Sequence, residues 1–343
     1  MFTLFSAPTA DDAWQQIASH FRAGVDISKQ PSRVGLTYEI LRGAITIHDA
    51  RQRWVFSRRP AINPAFALAE VVWIVRGRRD SRFLTYFNNE LPRYAGEGPV
   101  FHGAYGFRMR HHFGIDQFER AFSALCARPH TRQVVLQFWD PRADLPSEDG
   151  REAAPDIPCN VLAMLKVRDG VLDWTQILRS NDVFRGLPYN LVQFTMLHEI
   201  LAGWLGLDLG SHNLLSDSLH VYDDCLDQVK DSLPIVAPHN TDSLSMQRPQ
   251  SESSFMALEL ATERLIDPSV SADDVVTLAL TSTLSQSFKN MLCVLSAEGV
   301  RRRQRPDLVE PIMSVCTNNC YRVLMERWLA RTTMRAQRSA IPT

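Results

Sequence analysis

Ile157-Pro158-Cys159-Asn160-Val161-Leu162-Ala163-Met164-Leu165-Lys166-Val167-Arg168-Asp169-Gly170-Val171-Leu172-Asp173-Trp174-Thr175-Gln176-Ile177-Leu178-Arg179-Ser180-Asn181-Asp182 decides how this chain folds. Val161, Ala163, Leu165 and Val167 alternate, with further apolar residues between them, so the first half reads as a strand buried on both faces. Arg168-Asp169-Gly170 is a tight-turn signal, and Val171 to Leu178 reads as the returning strand. In a two-stranded hairpin the start of one strand lies beside the end of the other, which puts Arg179 near Cys159. A neighbouring cation favours the thiolate. Cys159 therefore reads either as a nucleophile or as an ordinary buried cysteine.

Polar groups continue downstream. Gly186-Leu187-Pro188-Tyr189-Asn190 leads into an apolar run, Leu191 to Trp204, that predicts a helix; Asn190 is then either its N-cap or a binding residue. His220 and Tyr222, two apart in a strand-like segment, project to one face and suit a shared hydrogen-bonding partner.

Upstream, residues Asp11 to Val25 predict an amphipathic helix, and Leu36 to Ile47 predicts a strand. Ala65 to Arg76 predicts a strongly apolar helix that carries Glu70, a carboxylate that is costly on such a face unless paired or functional. Val134 to Phe138 predicts a strand entered by Thr131-Arg132. Ala257 to Ile266, Ala272 to Leu295 and Pro311 to Arg335 predict helices. Arg301-Arg302-Arg303 with Arg305 reads as a solvated basic face or, alternatively, a phosphate or polyglutamate contact.

The chain has 343 residues, 45% of them hydrophobic, with a formal net charge of -1. That allows one large domain or two small ones and supplies no basic field for nucleic acid. The six cysteines form no paired CxxC pattern; Cys316 and Cys320 read as two thiols on a helix face rather than a metal site. No basic-then-apolar leader opens the sequence and no apolar run is long enough to span a bilayer, so a cytoplasmic location is expected.

From Ile157 to Tyr222 the chain resembles the thymidylate synthase and pyrimidine-nucleotide hydroxymethylase superfamily. The match rests on Pro158-Cys159, Arg179-Ser180-x-Asp182, Gly186-x-Pro188-x-Asn190 and His220-x-Tyr222, in this order and at these spacings. Earlier, Glu70-x-x-Trp73 with Gly77, and Tyr105-Gly106, match the same pattern.

The resemblance implies an α/β (α+β) thymidylate synthase-like fold, in which helices flank a large twisted mixed β-sheet whose face forms a homodimer interface. It implies a catalytic domain over residues 1–255, leaving residues 256–343 as a helical C-terminal extension. It also implies one-carbon transfer from 5,10-methylenetetrahydrofolate to C5 of a pyrimidine nucleoside monophosphate, through a covalent Cys–C6 adduct. No metal, nucleic acid or membrane partner is implied. Cys159 is the implied nucleophile, assisted by Glu70, Tyr105, Arg179 and Asn190. Arg33, Arg179, Ser180 and a partner subunit's Arg132 would bind phosphate, Asn190 the base, and His220 with Tyr222 the ribose. Asp182 and Gly186 would meet the pterin. Asn190 favours a uracil base.

There are departures. No tryptophan follows Asn88-Asn89, where Tyr94 is the nearest aromatic. Asn160 stands where synthases usually carry a His, Ser218 where they more often carry an Asp, and Arg132-Gln133 where Arg-Arg is usual. Ala340-Ile341-Pro342-Thr343 does not match the family's site-closing tail. The default expectation is methyl transfer to dUMP. Hydroxymethylation of dUMP, dCMP or CMP, with water in place of hydride at the last step, is the close alternative, and an inactive nucleotide-binding homologue is a third.

Overall fold

The structure is a computed structural model that describes residues 1–32 and 35–339. Arg33, and the tail formed by residues 340–343, lie outside the described residues.

The hairpin is present as expected. β5 (Asn160–Arg168) and β6 (Val171–Asp182) pair antiparallel, from Asn160 opposite Leu178 to Arg168 opposite Val171. Asp169 and Gly170 turn the chain with φ of 50° and 80°. Two successive left-handed residues match the right-handed twist of the strands they join, which is why Asp-Gly suits this turn.

Around the hairpin a seven-stranded mixed sheet is built from β1 (Thr3–Ala7), β2 (Ser28–Ser32), β3 (Gly35–Ile47), β4 (Val135–Gln137), β5, β6 and β7 (Asp208–Tyr222). Its order is β1-β3-β7-β6-β5-β4, with β2 sharing the β1 edge of β3. β6 and β7 run parallel, joined by the helix Leu187–Leu205. That crossover brings the C-terminal ends of β6 and β7 side by side: Ser180 lies opposite Ser218 and Asp182 opposite His220. β3 pairs antiparallel on the far side of β7, which puts Glu39 beside His220.

The helix Pro64–Val75 is buried along its length except at Glu70. Asn63 caps it by accepting from Phe66 N at 3.1 Å, and Pro64 fills a first-turn position where no N–H is needed. A helix apolar all round belongs inside a core. Here the core also takes in Leu197 and Leu201 of the Leu187–Leu205 helix and Leu292 and Leu295 of the helix Gln286–Arg302. Helix Arg248–Ile266 runs across residue 255, and Leu324 and Met325 of helix Asn319–Ser339 share the same core.

Five expectations change. The helix expected over Pro311 to Arg335 is instead two, Val309–Met313 and Asn319–Ser339. The Leu187–Leu205 helix begins before Asn190, whose N–H already bonds Gly186 O at 3.0 Å, so Asn190 is not the N-cap. The single helix expected over Ala272 to Leu295 is two, Ala272–Leu280 and Gln286–Arg302. Cys316 precedes the last helix while Cys320 lies in its first turn, so they do not share a helix face; both are buried, and burial pushes the Cys316 thiol up to about 11.

The basic run is not a solvated face either. Arg301 and Arg302 both bond Glu298 (2.7 and 2.8 Å), Arg303 bonds Tyr86 Oη (2.8 Å) and Asp267 O (2.7 Å), and Arg305 pairs with Asp307. Arg303, and Arg302 through Phe87 O (2.9 Å), tie their helix to distant segments, while Arg301 pairs within the helix and the Arg305–Asp307 pair is local and exposed.

Candidate active site

Glu70 is the polar exception on its helix, and its surroundings explain why. Desolvation pushes its carboxyl up to about 8 from 4.5, a nearby Asp156 charge adds to the rise, and a hydrogen bond with Gln193 only partly offsets it. At neutral pH this side chain is mainly a protonated acid, able to donate as well as accept.

Tyr105 stands next to it. Its ring packs edge-on to Phe138, and burial, with the Cys159, Asp156 and Glu70 charges, drives its phenol far above the usual tyrosine value; Asn160 alone pulls in the other direction. The Tyr-Gly pair has a steric reason. A Cβ at position 106 would lie 2.3 Å from Ile74 O, so only glycine lets this turn press against the Pro64–Val75 helix.

Asn160 is held by a chain of hydrogen bonds. Trp174 Nε1 donates to Gln176 Oε1 (3.0 Å), and Gln176 Nε2 donates to Asn160 Oδ1 (3.1 Å). Glu70 Oε2 and Gln193 Oε1 are buried without a hydrogen-bond partner among the described residues, and Asn160 Nδ2 makes no bond of good geometry although it lies close enough to Tyr105 to favour its phenolate. Buried polar atoms are paired in nearly all folded proteins. Unsatisfied atoms around Tyr105 mark a place built for something polar to enter.

Cys159 sits at the opening of β5 with a half-buried thiol. The hairpin brings Arg179 alongside, its N–H bonding Cys159 O at 2.9 Å. The guanidinium is turned to the carbonyls of Pro158 and Ile157, both at 2.9 Å. It therefore fixes the backbone that carries the thiol, and Arg179 stays solvent-exposed.

Asn190, one helical turn before Gln193, donates from Nδ2 to Asn181 Oδ1 (3.1 Å), and Asn181 Nδ2 donates to Ser216 Oγ (3.0 Å). With its orientation fixed, Asn190 presents Oδ1 and its second N–H as one acceptor and one donor. Asp182 Oδ1 accepts from Phe184 N (2.7 Å) and Arg185 N (2.9 Å), turning the chain into Gly186, which occupies the N-cap position of the helix. Burial raises the Asp182 carboxyl, and its Oδ2 faces the Arg185 guanidinium at 4.0 Å.

His220 is nearly buried, with the Tyr222 ring edge-on at 5.2 Å. Ser180 is half-buried on β6, and Arg132 is exposed before β4.

The structure thus gathers Cys159, Glu70 and Tyr105 at one point and aligns Ser180, Asp182 and His220 on adjoining strands. Five residues around them were not foreseen: Asp156, Gln193, Asn181, Ser216 and Glu39. Gln193 had a signal, since it lies three residues after Asn190 on one helix face. Asn181 sat inside a quoted motif without a role. Glu39 and Ser216 come into place only through strand pairing.

The chain belongs to the thymidylate synthase family, whose model matches residues 28–267, more than half of its length. Among curated relatives, it is 38% identical over 204 residues to a deoxyuridylate hydroxymethyltransferase of Pseudomonas phage M6, covering 59% of this chain and 57% of that one. To the deoxyuridylate hydroxymethyltransferase of Bacillus phage SP01 it is 36% identical over 195 residues, 54% of this chain and 50% of the other. A thymidylate synthase of Francisella philomiragia matches at 25% over 222 residues, 60% of this chain and 78% of that one. The chain therefore spans about half the length of the two phage relatives. In fold it is similar to the thymidylate synthase of phage T4, with a TM-score of 0.51 at 21% identity over 65% of this chain and 82% of the other.

Proposed function

We propose that this protein transfers a one-carbon unit from methylenetetrahydrofolate to C5 of a uracil nucleotide, and that water completes the reaction to give a 5-hydroxymethyl product. The observation that carries the first part is the convergence of a half-exposed Cys159 with Tyr105, which is buried, and with Glu70, whose carboxyl burial pushes up to about 8, around polar atoms that lack protein partners.

In this reading the Cys159 thiolate adds to C6, and the C5=C6 electron pair moves toward O4, where Glu70 supplies hydrogen bonding and a proton. Asn190 accepts from N3–H and donates to O4, the pattern of uracil. C5 becomes nucleophilic and takes up the methylene carbon, which the folate cosubstrate supplies; C5 then loses its proton as the bond from that carbon to the folate nitrogen breaks, which releases tetrahydrofolate and leaves an exocyclic methylene. Water adds to the resulting exocyclic methylene, the ring electrons return, and the C6–S bond breaks to regenerate the thiolate. The balance is nucleotide, methylenetetrahydrofolate and water in, hydroxymethyl nucleotide and tetrahydrofolate out. Asp182 Oδ2 suits the N–H groups of a pterin, with Gly186 beside it.

Methyl transfer, with hydride from the folate, remains the second reading and was the default from sequence. What favours water is the similarity to two phage deoxyuridylate hydroxymethyltransferases. The polar residues Asn160 and Arg185 at the site agree with it.

The phosphate would be met by Arg179 and Ser180, with Arg33 and, from a second copy, Arg132. A homodimer through the sheet is consistent with Leu41, Met164, Ile177 and Leu215, which leave apolar surface accessible on that face. Residues 1–255 would carry catalysis, with residues 256–343 as a helical extension sharing its core. Release of tritium from C5 of labelled dUMP by the intact protein, and none by Cys159→Ala, is the expected result. Release by the variant would end the nucleophile assignment.

A further inference from the structure

Ser218, His220 and Tyr222 alternate along β7, and β3 places Glu39 opposite His220. Ser218 Oγ donates to Glu39 Oε1, and the same oxygen lies 3.4 Å from His220 Nδ1. Proton counting settles the direction of this relay. A carboxylate only accepts, and a hydroxyl has one proton. That proton is spent on Glu39, so Ser218 faces the imidazole as an acceptor, and Nδ1 must carry the hydrogen. In the neutral ring Nε2 is then a lone pair.

We propose that Glu39 and Ser218 are positioning residues that hold His220 in its Nδ1–H tautomer, so that Nε2 accepts from a hydroxyl of the bound ligand. The inference rests on the reading of His220 and Tyr222 as the sugar-binding pair, and it names the chemistry that this point selects: a ligand O–H donor, such as the 3′-hydroxyl of a nucleotide. On the other side of His220, Asp182 is its register neighbour on β6, and the Tyr222 ring closes the third side. A carboxylate reaching the histidine through a hydroxyl from the next strand does the work that an acidic residue at position 218 would do directly. Position 39 is far from position 220 in sequence, and only the β3–β7 register joins them.

The test is the ¹⁵N spectrum of the imidazole in the unliganded full-length protein at pH 8, where a histidine ring is ordinarily neutral. Assignment uses His220→Gln. The expected wild-type signals are those of a single Nδ1–H tautomer. Glu39→Gln, whose amide can donate to Ser218 and reverse the relay, and Ser218→Ala, which removes it, should both shift the ring toward Nε2–H. A wild-type ring in the Nε2–H form, or a tautomer unchanged in both variants, overturns the proposal.

Steady-state kinetics supply the second readout. Both variants should raise KM for dUMP about tenfold or more with a smaller change in kcat, and both should lose discrimination against 3′-deoxy-dUMP. Retained discrimination in both overturns the ligand assignment. If the His220 signals of the wild type do not move on adding dUMP, the nucleotide reading fails while the relay stands, so the two failures are separable.

Discussion

The side-chain amide of Asn190 donates from Nδ2 to Oδ1 of Asn181 at 3.1 Å, and Asn181 in turn donates to Ser216 Oγ at 3.0 Å. An amide alone can flip and present either edge. This one is locked, and in the proposed reading the edge it offers meets N3–H and O4 of uracil. Asn190→Asp should lower kcat/KM for the uracil nucleotide by roughly 100-fold and raise relative activity with dCMP, because a carboxylate there accepts from the cytosine amino group. Asn181→Ala should erode the same preference without touching the base. Competition between dUMP and dCMP measures both.

Glu70 predicts a pH profile. Its folded pKa is raised from 4.5 to about 8, so between those values the folded chain holds a proton that the unfolded chain has released. The stability linked to that proton is complete below pH 4.5 and is lost as pH rises through about 8. Activity that needs the acid should fall on the same alkaline limb. Glu70→Gln should reduce kcat by about 10²–10⁴-fold, flatten the limb near pH 8, and make the protein more resistant to urea at pH 9. Paired pH–rate and unfolding curves check all three.

A second pH dependence lies away from the site. His212 stacks on Trp174 with both ring nitrogens buried and without a protein partner among the described residues, and His198 lies 5.7 Å from it. Burial lowers His198 to about 4 from 6.5 and lowers His212 as well. For these bases the unfolded chain gains the protons first, so stability is present above pH 6.5 and falls as pH drops toward 4. His212→Phe should weaken that acid sensitivity, measured as the change in urea midpoint between pH 7.5 and pH 5.

Gly106→Ala should be costly where most surface alanines are not. The added Cβ meets the backbone oxygen of Ile74 at 2.3 Å, and no rotamer change can relieve it. A loss of roughly 1–3 kcal/mol is expected from overpacking, and the displaced Tyr105 should lower activity further. Thermal unfolding and turnover of the same preparation separate the two effects.

What could be read from sequence was mostly local. The Asp169-Gly170 turn and the alternating β5 and β6 residues predict the hairpin, and the hairpin alone predicts that Arg179 meets Cys159; their backbones do bond. The direction of the guanidinium did not follow, because Ile157 and Pro158 present carbonyls that no pattern reveals. The Leu187–Leu205 helix was expected too late because Asn190 is a good capping residue, yet Pro188 sits comfortably in the first turn and the helix starts ahead of both. Glu39 and Ser216 stayed hidden because their roles depend on register across β3, β7 and β6, which sequence spacing does not encode. Within the arginine run after Glu298, Arg302 and Arg303 find partners in distant segments, the Phe87 carbonyl, Tyr86 and Asp267, which spacing does not reveal.

The measurement that tests the central claim most directly is product mass. The full-length protein is incubated with dUMP and methylenetetrahydrofolate, the nucleotide is weighed by mass spectrometry, and dihydrofolate absorbance is followed in parallel. A 5-hydroxymethyl nucleotide that requires Cys159, formed without dihydrofolate, is the predicted result. A methylated nucleotide with stoichiometric dihydrofolate would contradict the assignment of water to the last step, and dUMP recovered unchanged would contradict one-carbon transfer itself.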